Sequence, residues 1–288
     1  MAKGRELKGR IKSVENTRKI TRTMEMVATS KMKRAHDRVV AARPYANSLA
    51  EVIASLYSAE LAGRFPLLRQ PKGKAARAAV ILLTGNRGLA GAFNSNLIKE
   101  ARTLIAKLES EGTEVVAHSV GKKGLGYFRY VGRAVASSRN DLGDQPTTAN
   151  AAEIVDGLMT DFADAKLDAV YVIYSKFVSA LAAPATAQRV LPVTPPEKKG
   201  PSLDYLLYPS AGAILEKLLP AYVRNAVYRA LVETIAGFYS AQRTAMKSAT
   251  DNAGDMLNVL KRTYNRARQA QITQEIAEIV GGSAALEG

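Results

Sequence analysis

From Ala211 to Val280 the chain carries one nearly unbroken helical pattern of 70 residues. At 1.5 Å of rise per residue such a helix would run roughly 100 Å if straight. No compact core of a 288-residue protein can surround a rod of that length. Most of it must pack against a second long helix, or against other chains. The first 60 residues supply that second helix. Leu7, Ile11, Val14, Met24, Ala28, Met32, Ala35, Val39, Ala42, Ala46, Leu49, Ile53 and Leu56 recur at steps of three and four, the seam of a helix packed on a helix. Only Arg18 and Thr21 interrupt it. Pro44 predicts a bend or a short interruption. In the C-terminal helix the predicted seam runs through Ile214, Leu218, Tyr222, Val227, Leu231, Ile235, Phe238, Ala245, Ala249, Met256, Leu260, Tyr264, Ala267, Ile272, Ile276 and Ile279. Pro220 should kink its first turns, and Gly281-Gly282 should stop it.

Between the helices the period changes. Residues 78–84 form a short continuous apolar run, read as a buried strand. Residues 94–108 are an amphipathic helix, 113–120 a second strand, 147–165 a helix, 168–174 a third strand and 186–193 a fourth. Alternation of this kind predicts an α/β unit with a largely parallel sheet. The expected fold is α/β: an antiparallel coiled coil of terminal helices (1–60 and 210–282) with an inserted α/β domain at 75–205.

Composition narrows the chemistry. The chain has no Cys, which excludes disulfides and thiolate chemistry, and its two His lie far apart. No metal-ligand spacing, catalytic triad or paired-carboxylate site is present, so neither a catalytic residue nor a cofactor is expected. The N-terminus lacks an apolar signal core, and no apolar stretch is long enough to span a membrane. Of a net charge of +15, the first 44 residues hold +9. The stripe Arg5, Lys8, Arg10, Lys12, Arg18, Lys19, Arg22, Lys31, Lys33, Arg34 needs an acidic partner or solvent. Nucleic acid would satisfy it, yet no aromatic stacking residue appears before Tyr45. Gly85-x-x-Gly88-x-x-Gly91 follows a strand and precedes a helix, as a phosphate cradle would. It lacks a tight Gly-x-Gly and any Gly-Lys-Ser/Thr, which favours a structural turn. Inside the C-terminal helix, residues 249–255 (ATDNAGD) are poor helix formers; close helix approach and a polar partner contact explain them equally well.

Four segments carry a resemblance. Residues 10–28 (RIKSVENTRKITRTMEMVA), 86–96 (NRGLAGAFNSN), 249–255 and 264–276 (YNRARQAQITQEI) together resemble the gamma subunit family of F-type, bacterial ATP synthases, in order and across the whole chain. The resemblance implies that the inserted α/β domain is Rossmann-like and that the chain is a non-catalytic rotor shaft. It would couple rotation of a proton-driven membrane ring to ATP synthesis in an α3β3 hexamer. Implied partners are the α and β subunits, the epsilon subunit and the c-subunit ring, with no nucleic acid. The implied location is peripheral, on the cytoplasmic face of a bacterial plasma membrane. By the same match, Met24, Thr250, Asp251, Asn252, Arg268 and Gln269 would contact β subunits along the shaft. Ile272, Ile276, Ile279 and Val280 would form an apolar tip in the hexamer sleeve. Arg87, Gly88 and Leu89 would face a lever loop of β and epsilon. Tyr205 and Tyr208 would form the foot on the ring. The 126–133 stretch is poorly diagnostic, and the absence of Cys argues against thiol regulation.

Overall fold

The computed structural model describes residues 2–57, 63–71, 73, 75–194, 208 and 210–286. Helix α1 spans Ala2–Leu56. A 3-10 turn at Pro66–Leu68 leads into β1 (Arg77–Leu83), α2 (Phe93–Ser110), β2 (Glu114–Val120), α3 (Lys122–Tyr130), β3 (Val135–Arg139), α4 (Thr148–Ala163), β4 (Ala169–Ser175), β5 (Ala185–Leu191) and α5 (Ala211–Leu286). The sheet order is β3-β2-β1-β4-β5. All pairs are parallel except β4 with β5.

The chain forms two compact units, and both long helices contribute to each. In one unit, the parts of α1 up to Ala28 and of α5 from Arg243 pair with each other. In the other, residues 29–242 build the α/β unit. Residues 29–56 of α1 and 211–242 of α5 therefore belong to the same unit as the sheet and share its core. The reason is compositional. From Ala230 to Ser240 only Ile235 in α5 escapes full burial, and a helix apolar nearly all round must be enclosed.

Strand β1 is apolar on both faces, which puts it at the sheet centre. Ala79, Ile81 and Leu83 share one core with Val170, Val172 and Tyr174. Onto that core pack α4 (Val155, Phe162), α1 (Leu49, Ile53) and α5 (Leu219, Val227). Helix α2 buries Phe93, Leu97, Ala101, Ile105 and Leu108. Helix α4 begins at a capping box in which Thr147 and Asn150 satisfy each other's backbone.

Arg69 fastens the far end of α4. Its guanidinium donates to the carbonyls of Leu167 (2.8 Å) and Phe162 (3.2 Å) and lies 4.9 Å from the Phe162 ring centre. It thereby ties the last turn of α4 to the segment that leads into β4. Arg69→Ala is expected to cost about 2 kcal/mol in denaturant unfolding, with little recovery in Arg69→Lys, because a point charge cannot reproduce the fork. An unchanged unfolding midpoint in Arg69→Ala would discount this contact.

Several expectations need correction. Helix α3 and strand β3 were not anticipated; they occupy the stretch around 126–133 that carries no pattern. The short interruption allowed for at Pro44 does not occur: α1 runs through it without a break. Pro44 is exposed, so the carbonyl its ring leaves unbonded faces water. Gly281-Gly282 does not end α5, which continues to Leu286; an added Cβ at either glycine would meet open space.

Candidate functional site

The paired unit is an antiparallel two-helix seam. Thr21 Oγ1 and Thr250 Oγ1 lie 2.8 Å apart, and Lys261 Nζ is 3.2 Å from Glu15. The seam of α5 runs through Met246, Thr250, Ala253 and Leu257, all buried, then Leu260, Tyr264, Ala267 and Gln271, all half-buried. These alternate at four and three, the coiled-coil period. The predicted register was therefore wrong over part of its length. Ala249 is only half-buried and Met256 is 56% exposed, because the seam turns through Thr250 and Leu257 instead.

The two polar interruptions now have a place. Thr21 and Thr250 are both buried, and each hydroxyl also lies within bonding distance of its own helix's backbone, at Arg18 and Met246. Gly254 faces Arg18, where an added Cβ would make only an ordinary contact, 3.8 Å from its Nε. Thr250 cannot then present its side chain outward, which corrects its assignment to a β-subunit contact. Its neighbours Asp251 and Asn252 are exposed. Thr250→Val keeps the volume and removes the hydroxyl; it should cost about 1 kcal/mol in chemical denaturation. A double-mutant cycle with Thr21→Val that shows no coupling would refute the pairing.

The pairing runs out near the start of α1. From Ile272 to Ser283 every residue of α5 is exposed. Ile272, Ile276, Ile279 and Val280 are 47%, 56%, 71% and 60% exposed. Apolar side chains so placed form an uncovered surface. Arg268 and Gln269 are exposed just below it, and Met24 is half-buried on α1. Tyr208 is 92% exposed; Tyr205 lies outside the described residues.

The glycine-containing loop after β1 is committed to its own scaffold. The Gly85 amide donates to Asn94 Oδ1 (2.9 Å), and the Lys122 amide donates to Asn86 Oδ1 (3.0 Å). Asn86 Nδ2 in turn holds the carbonyls of Asn140 and Leu142. A side chain at Gly85 would meet the Phe238 ring at 2.9 Å. Phe238 thus stands where an α/β sheet of this order would take a phosphate, at the C-terminal ends of the strands. Leu89, at φ 62°, is 63% exposed, an unusual backbone region for a branched side chain. Arg87 is exposed and Gly88 half-buried.

Sequence reasoning missed one network in the α/β unit. Lys31 Nζ is 2.6 Å from Asp144 Oδ2 and 3.2 Å from the Tyr239 hydroxyl. The Asp144 hydrogen bond holds the Lys31 ammonium above its ordinary range. Burial pushes Asp144 up, but its bonds to Lys31 and Tyr239 prevail and hold it below the usual carboxylate range. Lys31 therefore leaves the solvent-facing basic stripe. Arg38 also donates to the Asp144 carbonyl (3.0 Å). Arg139 forks onto Asp141 and Glu153 and holds Asp141 at about 2. Among the described residues no group of His, Asp and Glu could hold a metal ion, and no helix is long and apolar enough to cross a membrane.

Comparison with known proteins agrees with this architecture. A family model described as ATP synthase matches residues 3–286. The chain is 66% identical over 291 residues to the ATP synthase gamma chain of Gemmatimonas aurantiaca, covering all of both chains. It is 40% identical over 290 residues to that of an Acidovorax species, covering 99% of this chain and all of the other. Among solved structures it is similar to a chain of the Euglena gracilis mitochondrial ATP synthase (TM-score 0.71, 20% identity, 99% and 95% covered). Another is a chain of the Tetrahymena thermophila central stalk and c-ring (TM-score 0.63, 23% identity, 80% and 99% covered). On the full-length sequence match above all, the chain belongs to the ATP synthase gamma-chain family.

Proposed function

We propose that this chain is the non-catalytic rotor shaft of an F-type ATP synthase, transmitting rotation between a membrane ring and an α3β3 hexamer. One observation carries the reading. The helix pair ends and α5 continues, with Ile272, Ile276, Ile279 and Val280 exposed. An apolar helix end without its partner needs a foreign surface, and a sleeve in the hexamer supplies one. Such a surface offers few strong contacts and so permits turning.

The remaining roles follow this reading. Met24, Asp251, Asn252, Arg268 and Gln269 face β subunits, with Thr250 withdrawn as a direct contact. The exposed basic residues of α1 give an acidic lever loop its counter-charge. Arg87, Gly88 and Leu89 dock against that lever and the epsilon subunit; an exposed Leu89 held at positive φ suits a surface covered by a partner. Tyr208, with Tyr205, stands on the ring. In this arrangement the chain acts by mechanical coupling between distant sites and works peripherally, at the cytoplasmic face of a bacterial membrane.

The test is co-purification. The tagged chain, recovered from gently solubilised native membranes, should bring stoichiometric α and β subunits with ATPase activity. A chain recovered alone, or only with nucleic acid, would defeat the reading.

A further inference from the structure

We propose that the cavity at the C-terminal ends of β1, β2 and β3 binds a small organic anion with an apolar body. The cavity measures about 370 Å³, within the range of small-molecule sites. It lies at the end of a parallel sheet where such sites concentrate. Leu83, Val120, Leu142, Ile235 and Phe238 give it apolar walls.

Two features set the ligand's chemistry. Arg87 and Lys122 line the cavity and are exposed. Among the described residues neither side chain makes an ion pair or hydrogen bond; Arg87 acts on the lining Asp144 only at longer range, and Asp144 is already engaged by Lys31 and Tyr239. Arg139 is likewise spent on Asp141 and Glu153. The unspent charge at the rim is therefore positive. Finally, the Gly85 and Lys122 amides are taken by Asn94 and Asn86. The anion must be held by side chains at the rim, not cradled by backbone. This favours a single charge on an apolar body over a polyphosphate.

The probe is 1-anilinonaphthalene-8-sulfonate, which carries an aromatic body and one sulfonate. Titrated into the full chain by fluorescence and calorimetry, it should saturate at one equivalent. Leu142→Trp, which fills the cavity, should weaken binding at least tenfold. Arg87→Ala with Lys122→Ala should weaken it about tenfold, the scale of a lost charge-assisted contact. Ile276→Asp, which spoils the other exposed apolar surface, should leave this binding unchanged. Circular dichroism checks that the variants fold; the charge variant alters only exposed side chains and decides the matter if Leu142→Trp does not fold. Binding that is absent, unsaturable, unmoved by the cavity variants, or lost in Ile276→Asp overturns the proposal.

Discussion

Ile276→Asp should leave the isolated chain folded and abolish its assembly with α and β subunits. The first half follows from position. Ile276 is 56% exposed and lies beyond the last half-buried seam residue, Gln271. Replacing it removes little burial, so unfolding should shift by about 0.5 kcal/mol or less. The second half rests on the proposed sleeve. There an aspartate would have to shed water against an apolar wall without a partner, at a cost of several kcal/mol. That corresponds to roughly a hundredfold or greater loss of association. Reconstitution with α and β subunits, followed by gel filtration and ATP hydrolysis, reads the effect. Ile276→Val, which stays apolar, should assemble nearly as well as the parent. If Ile276→Asp assembles and couples normally, the tip does not sit in an apolar sleeve, whatever the rest of the shaft does.

The sequence made some parts legible and hid others for physical reasons. Strand β1 was readable because a run of seven residues, six of them buried, can hardly be anything but a central strand once turns bound it. Helix α2 was readable because its buried residues keep a strict helical spacing. Strand β3 was not. It is a short edge strand, VASSR, with no fully buried residue and polar side chains on both faces, so no alternation survives. Helix α3 is nine residues long, contains two glycines and buries only Gly124, Leu125 and Phe128, too short a run for its spacing to stand out in the sequence. The seam register slipped because the true positions near its middle are Thr250 and Ala253. The predicted stripe runs through their neighbours Ala249 and Met256 instead, one position short of Thr250 and Leu257. The apolar tip was legible as a stripe, but its exposure depends on where α1 begins relative to the pairing, and that needs the fold. The Lys31–Asp144–Tyr239 network joins residues 113 and 208 positions apart from Lys31, a distance no local pattern spans.

Gly121→Ala should be the most damaging small substitution in the α/β unit. Gly121 has φ 100° and ψ 145°, a region essentially reserved for glycine. Space forbids the change independently: a Cβ there would lie 2.1 Å from the Thr84 carbonyl oxygen and 2.7 Å from Thr84 Oγ1. Neither atom can retreat. The Thr84 amide donates to the Val120 carbonyl (2.8 Å), and Thr84 Oγ1 accepts from the Gly124 amide (2.9 Å). Gly121 itself donates to the Arg139 carbonyl (2.8 Å). One residue thus ties together the ends of β1, β2 and β3, and moving it opens all three. The expected cost is about 3–5 kcal/mol, a large part of the roughly 5–15 kcal/mol that holds a typical domain folded. At roughly 2–4 °C per kcal/mol for a unit of this size, the melting temperature should fall by about 10 °C. Gly143→Ala is the matched control. Gly143 borders the same cavity, but an added Cβ meets nothing within 4 Å, so its melting should move by no more than about 2 °C. Equal melting of the two variants would mean that the strand ends are looser than this hydrogen-bonded node requires.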